Sequence, residues 1–185
     1  MAHTREDAWA LVTEWTASDS LRNHALAVEA AMRFYAEKLG GDIELWGLAG
    51  LLHDFDYERY PEAPAHPTMG MNHLRSLGWS EAIIDAIAGH APYLGVPRES
   101  LMAKALFAVD ELCGMITAVA YVKPTRSIAD VEVSSVKKKL KDKSFARSVS
   151  REDIALGVEE LGIPLDEHIQ NCITALQGVS ESLGL

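Results

Sequence analysis

The stretch GLAGLLHDFDYERYPEAPAHP, residues 47–67, ends an apolar run on a His-Asp doublet, His53-Asp54, and brings a further histidine, His66, just ahead of a proline. An imidazole beside a carboxylate offers one nitrogen and one oxygen donor, and a fraying helix end lets both turn toward one ion. Five of the seven histidines fall between positions 24 and 90. Taken singly, a histidine in an apolar helix is more often a hydrogen-bonded core residue than a ligand. Asp110 is harder to explain that way. It lies in AKALFAVDELCGMITAVAYV, where a buried carboxylate needs a cation or several donors, and the nearest basic residue, Lys104, is six positions away and off its face. His24, His53, Asp54, His90 and Asp110 each sit near an apolar helical face. In a helix bundle such faces converge, which is how bundles build metal sites. Mixed histidine and carboxylate ligation suits a divalent transition metal (iron, manganese, zinc, cobalt or nickel) better than calcium.

The elements that must position these donors are helices nearly throughout. Thr4 with Asp7 begins the first helix, and Asp19 or Ser20 begins a second that Gly40 and Gly41 stop. Asp42 caps a third helix, ending at the doublet. Pro61, Pro64 and Pro67 enforce a loop. Further helices are expected from about Pro67 to Leu77, over EAIIDAIAGH after Ser80, from Ser100 to about Val122, near 131–142, from Ser150, and from Pro164 to about Leu183. No alternating strand pattern appears, so the expected fold is an all-α, compact helical bundle.

The order His24, His53-Asp54, Asp110 resembles the H…HD…D signature of the HD-domain superfamily of metal-dependent phosphohydrolases. His24 precedes the doublet by 29 residues, and Asp110 follows Asp54 by 56. The likeness covers about residues 20–126 and implies that these four side chains hold one metal in an all-α domain. HPTMG, residues 66–70, resembles the HPxxG that opens a helix in the HD-GYP type, and His90 follows His66 by 24 residues, much as a later histidine does there. This likeness implies that His66 and His90 hold a second metal with Asp54 shared between the two. No GYP motif is present and the loop from Asp54 to His66 is short, so cyclic-dinucleotide cleavage is not implied. The closest likeness is to small bacterial predicted HD hydrolases.

The implied activity is hydrolysis of a small phosphorylated metabolite or nucleotide by metal-activated water. Asp54 would orient the water and bridge the metals, and His73, seven residues after His66, would be a proton donor. His3 and His168 are expected on the surface. Candidate phosphate-binding cations are Lys123 and Arg126 in KPTRSI, Arg22, and Lys143 with Arg147 beyond the basic helix, while Tyr57 and Arg59 would line the mouth of the pocket. Two other readings use the same residues. Four histidines and two aspartates also resemble the di-iron site of HD-fold oxygenases, and a degenerate site would make a nucleotide-sensing module.

Length and composition bound these readings. A chain of 185 residues, 48% hydrophobic and 24% charged, fits one domain over 1–185, with a motif core near 20–126 and C-terminal helices at about 131–183 packed on it. The net charge of −10 argues against a nucleic-acid polymer as partner. No secretory signal, membrane span or cysteine framework is visible. Cys113 and Cys172 read as buried thiols, and the protein is expected to be cytoplasmic, without a membrane partner; a homodimer is compatible with the sequence.

Overall fold

Five of the helices begin where a side chain covers amides that the first turn leaves unpaired. In the computed structural model, which describes residues 3–185, Thr4 and Asp7 form a reciprocal capping box at α1 (Arg5–Trp15). Ser18 caps α2 (Asp19–Leu39), which Gly40 closes at a φ of 73°. Asp42 caps α3 (Ile43–Leu52), and His53 stands at its C-cap. After the proline-rich loop comes α4 (Ala65–Ser76), in which His66 keeps an extended backbone (φ −80°, ψ 136°), so regular helix starts at Pro67. Then follow α5 (Glu81–His90), α6 (Leu101–Tyr121), α7 (Val133–Lys141), α8 (Arg151–Leu161), α9 (Leu165–Gln177) and α10 (Ser180–Leu183). The chain is an all-α helical bundle, with no strand among the described residues.

One expected boundary differs. The last helix does not run unbroken from Pro164 to Leu183: Val179 leaves the helical region (φ −124°, ψ 16°) and separates α9 from α10. No helix among the described residues is long and apolar enough to cross a membrane.

The core is organised around α6, which touches α2, α3, α5, α7, α8 and α9. Its residues Leu106, Leu112, Met115 and Ile116 have no exposed surface. Each such side chain contributes about 1.5–3 kcal/mol through removal from water. Helix α3 lies against α2 so closely that a Cβ on Gly50 would fall 2.9 Å from the carbonyl oxygen of Val28. That approach brings the start of α2, with His24, near the end of α3, with His53. Cys113 and Cys172 are free, buried thiols facing each other from α6 and α9.

Candidate metal centre

The ends of α3 and α5, the early turns of α2, the middle of α6 and the start of α4 meet at one place. Asp54 lies at its centre. Its Oδ1 is 3.2 Å from His66 Nε2 and 3.2 Å from His90 Nε2, while its Oδ2 is 3.5 Å from His53 Nε2 and 4.0 Å from His24 Nε2. Asp110 adds its Oδ1 at 2.9 Å from His24 Nε2 and 3.4 Å from His53 Nε2. Two groups can therefore each hold an ion, His24–His53–Asp54 and Asp54–His66–His90, with Asp54 common to both.

The imidazoles are aimed by their second nitrogens. His53 Nδ1–H donates to the carbonyl of Gly50 at 2.7 Å, and His90 Nδ1–H donates to the carbonyl of Ile87. His66 Nδ1–H donates to Asp56 Oδ1 at 2.7 Å. Each bond fixes the ring and leaves Nε2 toward the cluster, the arrangement that ligating histidines adopt. The backbone around them is anchored as well. Thr16 Oγ1 donates to the Phe55 carbonyl at 3.1 Å, Arg98 donates to the Gly89 carbonyl at 2.8 Å beside His90, and Tyr93 Oη donates to the His66 carbonyl at 2.7 Å.

The electrostatics mark a place for positive charge. Burial alone would push the His53 imidazolium down, but Asp54 and Asp110 outweigh it and hold its pKa well above the ordinary value. His66 follows the same pattern: burial is outweighed by Asp54 and Asp56, and its pKa is raised to about 9. Asp54 and Asp110 are held below the usual carboxylate range, because the facing imidazoles overcome burial. His53 Nε2 is buried and has no hydrogen-bond partner. An orphaned ring nitrogen between two carboxylates is poor design for a hydrogen-bond network and good design for a ligand set. The donors fit a divalent transition metal.

These residues open onto a cavity of about 720 Å³. Its lining includes His24, Asp54, His66, His90 and Asp110, together with Tyr57, Tyr93, Glu111, Glu152 and Asp153. Among the described residues no lysine or arginine lines it. Glu111 accepts from the Ser150 amide at 2.9 Å. Burial, and after it the neighbouring Asp110, raise the Glu111 carboxyl to about 7. The wall at 142–149 is held by Arg151, which donates to the carbonyls of Ala146 at 2.6 Å, Val149 at 2.8 Å, Asp142 at 3.1 Å, and Phe145.

The cluster brings together all six expected metal-binding residues; five of them and Tyr57 line the cavity, His53 is buried behind it, and the expected cations are absent from the lining. Arg22 turns away and donates to the carbonyls of Thr16 at 2.7 Å and Thr13 at 2.9 Å, closing the end of α1. Lys123 donates to Ser135 Oγ at 3.2 Å. Arg126, Lys143 and Arg147 are exposed and outside the lining, although Ser148, next to Arg147, is part of it. Arg59 lies over the Trp15 ring, 4.2 Å from its centroid. His73 also stands apart: its ring packs 4.6 Å from Trp15 and 6.4 Å from Phe55, because His66 lies in extended backbone ahead of the regular turns of α4 and the seven-residue spacing does not align the two rings.

Two other histidines depart from expectation. His168 is wholly buried, where its Nε2–H donates to the Ala108 carbonyl at 2.8 Å and Tyr35 Oη donates to its Nδ1. His3 stacks on Trp79 at 4.1 Å and is half-buried. The sequence reading missed Asp56 and Glu111. The only sign of Asp56 was a second aspartate two positions after Asp54, and the sign of Glu111 was a second carboxylate in the apolar run of α6.

A search of curated proteins finds no match. The family model described as HD domain matches residues 21–115, just over half of the chain, and spans every candidate ligand from His24 to Asp110. With that match, and with its donors in the family's order on successive helices, the chain belongs to the HD-domain family.

Proposed function

We propose that the protein hydrolyses a small phosphate monoester at a pair of divalent metals. The observation that carries this reading is the two-sided use of Asp54, one oxygen toward His66 and His90 and the other toward His53 and His24. When bound, divalent metals supply an acidified water and positive charge against the phosphoryl oxygens. His24, His53 and Asp110 would hold one position, His66 and His90 the other, and Asp54 both. Glu111 is the best-placed carboxyl to hand a proton to the leaving oxygen, since it lines the same cavity and the Ser150 amide fixes its Oε2. His73, packed on Trp15 outside the cavity, is not placed for that role.

The cavity lining narrows the substrate. Five carboxylates face the space (Asp54, Asp110, Glu111, Glu152 and Asp153) and no described lysine or arginine offsets them. A compact monoester needs no charge partner beyond the metals, whereas a polyphosphate would meet Glu152 and Asp153. The chain is read as one domain, with the helices after residue 126 closing the cavity and no macromolecular polymer or membrane as partner. The test is metal analysis of purified protein followed by a phosphomonoester panel, with Asp54→Ala as control. Phosphate release by the metal-loaded wild type and none by the variant is expected. No release from any monoester, with the two proteins indistinguishable, sinks the reading.

The same lining favours a second reading, oxygen-dependent chemistry at two irons, because a cation-free wall with four histidines and two aspartates does not demand a phosphate. Oxygen uptake by iron-loaded protein in the presence of candidate polyols decides it, and no uptake removes it.

A further inference from the structure

The three tightly held histidines are not held alike. His53 and His90 close helices, and each places Nδ1 on the carbonyl three residues back, Gly50 and Ile87. His66 does not do this. It stands at the kink of α4 in extended backbone, where its own amide donates to the Glu62 carbonyl at 3.2 Å while its ring leaves that turn. Its Nδ1 instead meets Asp56 Oδ1, a buried carboxylate that is 1% exposed.

We propose that Asp56 is a positioning residue that builds the second metal position through His66, with Gly70 as its seat. The inference rests on the two-metal reading above. Asp56 is fixed at both ends: Oδ1 accepts from His66 Nδ1–H, and Oδ2 accepts from the Gly70 amide at 2.7 Å. The seat admits only glycine. A Cβ at position 70 would lie 2.7 Å from Asp56 Cγ, 2.8 Å from Oδ2 and 2.9 Å from Phe55 Cε1. The glycine four residues after His66 therefore makes room for the carboxylate. Tyr93 completes the clamp from the segment just after His90 by donating to the His66 carbonyl.

A charged acceptor on Nδ1 fixes which nitrogen carries the proton and makes the other a stronger donor. A backbone carbonyl does the first and less of the second. Asp56 lies on the far side of His66 from His24 and Asp110, so its loss is selective: the position held by His66 and His90 weakens and the one held by His24, His53 and Asp110 does not.

The experiment is a titration of metal-stripped, full-length protein with Mn²⁺, followed by calorimetry and by the magnetic coupling between paired ions in electron paramagnetic resonance. The wild type takes up two equivalents and shows the coupled signal. Asp56→Asn binds the first equivalent as the wild type does and the second about 10–100-fold more weakly, and it loses the coupled signal. Gly70→Ala, which removes no polar group, gives the same selective loss, and it serves if Asp56→Asn fails to fold. His66→Ala sets the limit of complete loss of the second equivalent. Wild-type affinity for both equivalents in both variants overturns the proposal, and so does equal loss of both equivalents. A single equivalent in the wild type overturns the two-metal reading itself.

Discussion

Oδ1 of Asp110 lies 2.9 Å from Nε2 of His24 across 86 residues of chain, joining the middle of α6 to the start of α2. The contact is possible because α2 and α6 pack side by side around the core. It gives the cluster a half that does not depend on the proline-rich loop, while the half made by His66 does.

Metal binding is expected to follow this division. Asp54→Ala weakens both equivalents by more than about tenfold, since loss of an outer partner alone costs roughly that much and Asp54 faces both positions. His24→Ala weakens one and leaves the coordination of the other intact. Elemental analysis after dialysis against dilute metal reads both outcomes, and equal retention in both variants contradicts the shared role of Asp54.

Proton transfer is expected to depend on Glu111. Glu111→Gln keeps the acceptor for the Ser150 amide but cannot donate or take a proton. It should lower kcat by on the order of 10²–10⁴-fold, with KM and metal content near the wild type. An unchanged kcat assigns the proton elsewhere. His73→Ala should leave kcat unaltered and cost only packing against Trp15.

Substrate preference is expected to respond to the acidic rim. Replacing Glu152 with Lys and Asp153 with Asn removes repulsion from the wall. At low ionic strength the pair should raise kcat/KM for a polyphosphate ester by about tenfold relative to a monoester, and added salt should erase the gain. A ratio that does not move means that shape, and not charge, selects.

Stability is expected to fall on the acid side through His168. Burial lowers its pKa below the ordinary 6.5, and the bond to Ala108 only partly opposes this. The folded state therefore resists a proton that the unfolded chain accepts. Stability is full above pH 6.5 and declines as the pH falls from there toward the lowered folded value. His168→Gln should start less stable, because Tyr35 and Ala108 lose well-matched partners, yet show a flatter profile over that window. Denaturant melts at several pH values measure it, and identical slopes remove His168 as the cause.

His168 also shows where sequence reading stops. His24, His53, Asp54 and Asp110 were legible because each interrupts an apolar helical face, which ordinary packing does not favour, and their order matched a family signature. His168 interrupts such a face too, beside Ile169 and Cys172, yet its partner Tyr35 is 133 residues away and nothing local announces a hydrogen bond over that separation. The cations failed for a related reason. Arg22 was two residues from His24, but the carbonyls left free at the end of α1 compete for a guanidinium, and those are invisible until α1 and α2 are set at their angle. Asp56 was hidden because its role comes from Gly70 and His66 arriving on the far side of a loop. Helix positions were more legible than side-chain roles, since caps and glycine stops act within a few residues, whereas roles depend on contacts among distant ones.

Arg151 spreads one guanidinium over four carbonyls of the 142–149 wall. A segment without regular structure is thereby fastened at four points to the first residue of α8, as staves are held by one hoop. The part of the cavity edge formed by Ser148 and Val149 hangs on that one side chain.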